Sequence, residues 1–342
     1  MLRTASVTPT ADPEGSTPPD SEDRSVDLRS RFFNVRTGLS FLLGIAILVA
    51  LFRFANVDPQ QLLSQIRGVN LGLYAAAIAC YVLTFPFRGA RWQRLLNNVG
   101  IRLPVLPLTE VIFISWFVNS VLPGKIGDLY RGYVIKREHR VSLSRTVGTV
   151  VAERVMDLTC LILLLGTTGA LVLHNRVSPV VAGILQAGWI GFALLLAGLF
   201  VTYRYGERLM SFFPTRVQAI YSRFAHGTFS SFSLRSAPVL VLLTVLAWSA
   251  EAARLYFVVR ALDVPGVGPL AALFTVAAIS LSLIVPTPGG LGGVEAAFVL
   301  VLAVFGVDKS LAVAVALIDR SISYYSLIIF GFPAFLMTKR GQ

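Results

Sequence analysis

The sequence predicts an all-α polytopic membrane protein: about six full transmembrane helices and two re-entrant hairpins arranged as an inverted repeat. Three observations carry this. Of 342 residues, 55% are hydrophobic and only 14% charged, and several uninterrupted apolar runs are long enough to cross a hydrocarbon layer of roughly 30 Å. Two further apolar stretches are broken by Pro and Gly. Polar landmarks recur between the two halves at one nearly fixed offset.

The first 30 residues are rich in Ser, Thr, Pro and Asp. They bury too little to offset their ordering entropy and predict a disordered cytoplasmic tail over 1–35, ahead of a single membrane domain at 36–338. No signal peptide fits, because the first apolar run begins near Gly38, is as long as a span and lacks a small-residue cleavage site. Full helices are expected over 38–56, 71–88, 147–173, 180–203, 237–260 and 311–338. Regions 105–140 and 268–306 are apolar but interrupted. The arm 294–306 would be about 20 Å long, too short to span alone.

Both interrupted regions therefore read as hairpins that return to the side they entered. The basic residues test that count, since Lys and Arg collect in cytoplasmic loops. Arg24, Arg29, Arg31 and Arg36 precede the first helix; Arg88, Arg91, Arg94, Arg102, Lys136, Arg137, Arg140 and Arg145 flank the first hairpin. Arg204, Arg208, Arg216, Arg223 and Arg235 fill the loop at 204–236, and Lys339 and Arg340 follow the last helix. All fall on one side under this topology, and both termini with them. The opposite loops carry only Arg67, Arg176, Arg260 and Lys309.

Within 204–236, Val217, Ile220, Tyr221 and Phe224 follow Pro214 at helical spacing. An interfacial amphipathic helix and a loop packed under its neighbours are both open readings.

The halves echo one another. Pro123 and Pro288 lie 165 positions apart, as do Gly127 and Gly292; Glu153 and Asp319, Arg154 and Arg320, and Arg88 and Arg254 lie 166 apart. The repeat units fall at about 71–173 and 237–338. Three full helices separate their starts, and an odd number inverts the second unit. The first hairpin then enters from the cytoplasm and the second from outside, so their tips approach near mid-depth, where such repeats place binding sites. Glycines in SVLPGKIGD and PTPGGLGGVE permit tight reversals and close backbone approach there.

Glu153, Arg154, Asp157, Glu251, Arg254, Asp319 and Arg320 all interrupt apolar sequence. Ionisable groups at such depth normally pair and line a functional cavity. Glu153 and Asp157 share a helix face, and Glu251 and Arg254 are spaced to pair along theirs. Arg154 and Arg320 line the cavity, staple hairpins to helices through Asp128 and Glu295, or do both. Glu295 has a second reading, as an acid favoured by a helix N-terminus. Arg88, Arg91 and Arg94 beside Trp92 read as interfacial snorkelling residues, with phosphate contact the alternative. Lys125 and Arg131 flank the first hairpin tip, where a cation meets a phosphate or anchors the chain. The expected substrate-binding set is Lys125, Asp128, Arg131, Glu153, Arg154, Asp157, Arg254, Gly289, Gly290, Gly292, Glu295, Asp319 and Arg320.

A net charge of +12 points to lipid headgroups and not to nucleic acid, because the cations cluster beside apolar runs. Cys80 and Cys160 lie inside such runs, which removes a disulfide framework and a cysteine metal site. No HExxH, P-loop or GxSxG occurs, so no catalytic residue, metal or cofactor is assigned.

Five segments together resemble the lysylphosphatidylglycerol synthase transmembrane family: RW with LL at Arg91, Trp92, Leu95 and Leu96; LPGKIGDLYR at 122–131; ERVMDL at 153–158; PTPGGLGGVE at 286–295; and DR at 319–320. The resemblance covers about 38–338. It implies a flippase-like module of the cell's inner membrane, moving an anionic phospholipid or polyprenyl-phosphate conjugate between leaflets. A membrane-embedded lipid-modifying transferase, or a scaffold for a soluble lipid or glycan biosynthetic enzyme, is the alternative. Asp128 stands where the family often carries Glu, and no aminoacyl-transferase half is expected.

Overall fold

The computed structural model describes residues 35–55, 58–122, 124–173, 179–282 and 287–340. The expected tail before Val35 lies outside these, as do Pro123 and Pro286 of the two interrupted motifs. Among the described residues every regular element is helical.

Helix α1 (Val35–Ala55) leads through a 100° bend into α2 (Pro59–Arg67), whose first turn is capped by Asp58 accepting from the Gln60 amide at 2.9 Å. Helix α3 (Leu71–Asn98) starts on an Asn70 cap that accepts from Gly72 and Leu73. The first hairpin is α4 (Val105–Val121) and α5 (Ile126–His139). Helices α6 (Leu143–Leu173), α7 (Pro179–Met210) and α8 (Thr215–Phe229) follow, then α9 (Ala237–Ala261). The second hairpin comprises α10 (Pro269–Ser282), a 3-10 turn at Pro288–Gly290 and α11 (Gly293–Val304). The chain closes with α12 (Lys309–Arg320), a π turn at Ser321–Tyr325 and α13 (Ser326–Arg340).

By length and composition five helical segments can cross a membrane, or six if the bent pair α1–α2 is counted as one span. The hairpin arms are shorter apolar helices. An 18-residue window of the span in α7 has no buried residue, and Leu194, Phe200 and Tyr203 are more than 60% exposed. An apolar surface of that kind is stable against lipid and costly against water.

Three boundaries differ from expectation for physical reasons. Helix α3 runs ten residues past Arg88, the expected end, because Arg88 and Arg91 find carboxylates inside the bundle and need no interface. The snorkelling reading of these two residues is thereby corrected: they are 2% and 0% exposed. Arg94, one turn beyond Arg91, is exposed. Helix α7 continues through Arg204 and Arg208 to Met210. The last span is continuous from 309 to 340, but the π turn widens it just after Arg320.

The pairing of α3 with α9 fixes the relation of the halves. The Asn70 amide donates to Ala261 O at 3.0 Å, and the Asn98 side chain donates to Ser236 Oγ at 2.7 Å. The start of one helix thus meets the end of the other, and equivalent helices of the two units run antiparallel. The hairpins are exchanged in the same sense: α4 packs against α13, and α10 against α6. This is an inverted repeat, each unit completing the other's core.

Region 215–229 is helical, as its spacing predicts. Its C-terminal end docks on α6, where Gly148 faces Phe224 O and Gly227 faces Arg145 O so closely that a Cβ at either would collide. Val217 and Ile220 near the other end are exposed. The helix therefore combines the packed and the surface-lying readings.

Candidate functional site

A cavity of about 680 Å³ lies where the two hairpin tips meet. Each tip is held by one arginine. Arg154 on α6 grips Asp128 on α5 with both nitrogens, Nε to Oδ2 at 2.9 Å and Nη2 to Oδ1 at 2.8 Å. Arg320, at the end of α12, donates to Glu295 Oε1 at 2.9 Å and to the Gly289 carbonyl at 2.8 Å. These two staples are the same device in each repeat, and a bidentate guanidinium fixes orientation as well as charge. The stapling reading of Arg154 and Arg320 is realised, and both also line the cavity.

Local sequence explains how the tips close. The first reverses through Gly124 and Lys125, both left-handed at φ 82° and 54°. Gly127 then lies so close to α4 that a Cβ there would come 2.0 Å from Ser115 O. Asn119 accepts from the Gly127 amide at 2.8 Å, and Ser115 donates to its carbonyl at 2.8 Å. In the second tip Gly289 takes φ 57° against the Tyr324 ring, where a Cβ would come 2.3 Å from Cε2. The same Cβ would lie 3.4 Å from Ser120 Cα, so the tips touch.

Behind the staples lies a continuous ion network. Arg91 Nη2 donates to Glu153 Oε1 at 2.8 Å and Nη1 to Asp157 Oδ1 at 2.7 Å. The i, i+4 acids expected to share a face are therefore bridged by one fork. Arg131 pairs with Glu153 Oε2 at 2.7 Å and lies over the Trp92 ring. Arg88 bridges the repeats, 3.3 Å from Glu251 and 3.8 Å from Asp157, with its guanidinium 4.6 Å and 5.3 Å from the Trp116 and Trp248 ring centroids. Arg254 pairs with Glu251 along α9, as its spacing predicts, and with Asp319 on α12. Trp248 donates to Asp157 Oδ1 at 3.2 Å.

The structure brings Lys125, Asp128, Arg154, Asp157, Arg254, Gly289, Gly290, Asp319 and Arg320 to the cavity wall. It places four other expected residues elsewhere. Arg131 and Glu153 are buried behind the wall, at 1% and 2% exposure. Glu295 is turned to Arg320 and to the Gly292 amide at 2.7 Å, the helix-terminal role open in the sequence. Gly292 packs under Ile47 of α1. Sequence reasoning left Arg88, Tyr81, Trp116, Trp248, Glu251 and Thr287 out of the site, although all line it. The fixed offset between Arg88 and Arg254 was the signal that assigns Arg88 the same depth as its counterpart.

Much of the remaining wall is apolar, with Leu158, Leu161, Val276, Ile279, Val294, Phe298 and Leu327 beside the polar Asn119, Ser120, Ser280, Ser323 and Tyr324. The cavity thus offers fixed charge at one part of its wall and hydrocarbon at another.

The family model for the lysylphosphatidylglycerol synthase TM region matches residues 39–331. A UPF0104 membrane protein of Methanocaldococcus jannaschii is 32% identical over 225 residues, 66% of this chain and 95% of that one. A UPF0104 membrane protein of Pyrococcus horikoshii is 22% identical over 86% of this chain and 94% of its own. The glycosyltransferase AglD of Haloferax volcanii is 28% identical over 82% of this chain, a match that spans 51% of AglD. The protein belongs to the lysylphosphatidylglycerol synthase transmembrane-region family.

Proposed function

We propose that this protein moves an anionic phospholipid or polyprenyl-phosphate-linked lipid between the leaflets of the cell's inner membrane, with both termini cytoplasmic. The observation that carries the reading is the single cavity wall, part ion network and part hydrocarbon, enclosed by the opposed hairpin tips of an inverted repeat. A charged headgroup crossing lipid alone meets a large desolvation cost, which fixed guanidinium groups offset while the acyl or prenyl chains remain in the bilayer. Arg154 is the most accessible of the cavity arginines in the staples, its side chain 30% exposed against 7% for Arg320, and it meets the headgroup first.

The test is protein-dependent exchange of fluorescent phosphatidylglycerol in proteoliposomes, read by dithionite quenching. Wild-type protein speeds exchange of the anionic lipid, and Arg154→Ala slows it roughly tenfold, about 1.4 kcal/mol of barrier. A new covalent lipid species with unchanged sidedness would replace transport by the transferase reading. The similarity to half of a protein named as a glycosyltransferase favours one second reading: a membrane partner module serving lipid or glycan biosynthesis.

A further inference from the structure

We infer that the junction of the two hairpin tips is a subsite for a phosphate-class oxyanion, either the phosphodiester of a lipid headgroup or free phosphate, bound by the Lys125 ammonium and the Thr287 hydroxyl. This rests on the transport reading of the same cavity and specifies which group of the headgroup is held there.

Charge is the first observation. Each of the six arginines of the network has a carboxylate within 4 Å, and the six carboxylates are all used in those pairs. Lys125 lines the cavity, is exposed, and among the described residues has no carboxylate within 4 Å. The network and Lys125 together therefore carry one surplus positive charge, seven cations against six carboxylates. A phosphodiester carries one negative charge at neutral pH, so it completes the balance, whereas a zwitterionic headgroup brings its own cation. Lys125 also holds φ 54°, a backbone region that L side chains rarely adopt and that clusters at ligand clamps.

An orphaned donor is the second, independent observation. Thr287 is 5% exposed, its Oγ1 has no hydrogen-bond partner, and the residue lines the same cavity on the opposite tip. A buried hydroxyl left unpaired is destabilising unless an acceptor arrives. The hydroxyl is buried where it stands, and a χ1 rotation of about 120° carries it into another staggered position on Cβ. The contact between Gly289 and Ser120 brings the two tips, and with them the two donors' segments, to one junction.

The experiment is calorimetric titration of the full chain in detergent with dihexanoylphosphatidylglycerol, dihexanoylphosphatidylcholine and inorganic phosphate. Wild type binds the anionic lipid about tenfold more tightly than the zwitterionic one. Lys125→Gln lowers that affinity about tenfold, and Lys125→Arg stays within about threefold. Thr287→Val lowers affinity about threefold while raising the melting temperature of the ligand-free protein, because it removes the unmet hydroxyl. Inorganic phosphate binding that disappears in the same variants assigns the subsite to free phosphate as well as to the lipid ester. Unchanged affinities in both Lys125→Gln and Thr287→Val overturn the subsite, even where leaflet exchange by wild type persists. Absence of exchange by wild type, with binding still lost in Lys125→Gln, overturns transport and leaves the subsite standing.

Discussion

Arg91 has no exposed surface and holds two acids at once. Replacing it with Ala leaves Glu153 to Arg131 alone and takes from Asp157 its closest cation, with Arg154 and Arg88 only at 3.6 and 3.8 Å; removing one partner of a buried pair costs up to about 3–5 kcal/mol. We expect Arg91→Ala to lower the melting temperature sharply in detergent, and Arg91→Lys to rescue it only in part, since an ammonium cannot span two carboxylates as a planar fork does. A thermal scan showing wild-type melting for Arg91→Ala would mean that the acids are protonated or solvated. Sequence reading missed this role because Arg91 stands among other cations and a tryptophan, the pattern of a helix end, while its partners are 62 and 66 residues away. Arg254 with Glu251 was legible because both partners lie on one helix at i, i+3. Local spacing reveals pairs within an element; it is silent on pairs between elements.

At the scale of elements, the hairpins depend on close backbone approach as well as on their arginine staples. Gly127→Ala would drive a methyl into the Ser115 carbonyl, backbone against backbone. Overpacking of this kind costs about 1–3 kcal/mol, so we expect Gly127→Ala to destabilise the protein and to loosen the Asp128–Arg154 staple one residue on. Helix α8 depends on a similar approach to α6 at Gly148. Gly148→Val should detach it, and limited proteolysis should then cut the 204–236 segment faster, with the span helices intact. The amphipathic pattern announced α8, since Val217, Ile220, Tyr221 and Phe224 recur at its period. The π turn at Ser321–Tyr325 was not announced, because apolar periodicity over five residues reads alike in α and π windings. Its effect is visible only in the tertiary contacts: Tyr81 donates to the Ser323 carbonyl at 3.1 Å and Tyr74 meets Ser321 Oγ at 2.8 Å.

For the molecule as a whole, the antiparallel pairing of α3 and α9 sets the two hairpin bases on opposite faces. Arg102 follows α3 at one base, and Pro265 follows α9 at the other. In a background with Cys80 and Cys160 replaced, Arg102→Cys and Pro265→Cys should react with an impermeant maleimide from opposite compartments. Reaction of both from one side would remove the inverted repeat and the cavity argument with it. Reciprocal exchange of hairpins also predicts cooperative unfolding, since neither unit retains its core when the other melts. A single transition on heating, monitored by near-UV and far-UV signals together, checks this.

Much of the fold follows from the sequence itself: membrane residence, five or six spans against about six expected, both interrupted apolar regions and the repeat that relates the halves. These depend on local hydropathy, on helix-breaking residues and on an internal offset, all of which survive in one dimension. Tertiary structure alone decided which arginine meets which acid, that Arg88 and Arg91 are interior, that Arg131, Glu153 and Glu295 stand behind the cavity wall, and that among the described residues the Lys125 ammonium has no carboxylate within 4 Å and the Thr287 hydroxyl no hydrogen-bond partner. Ion pairing in a low-dielectric interior is settled by distances of a few ångströms between helices far apart in the chain, and composition carries no record of those distances.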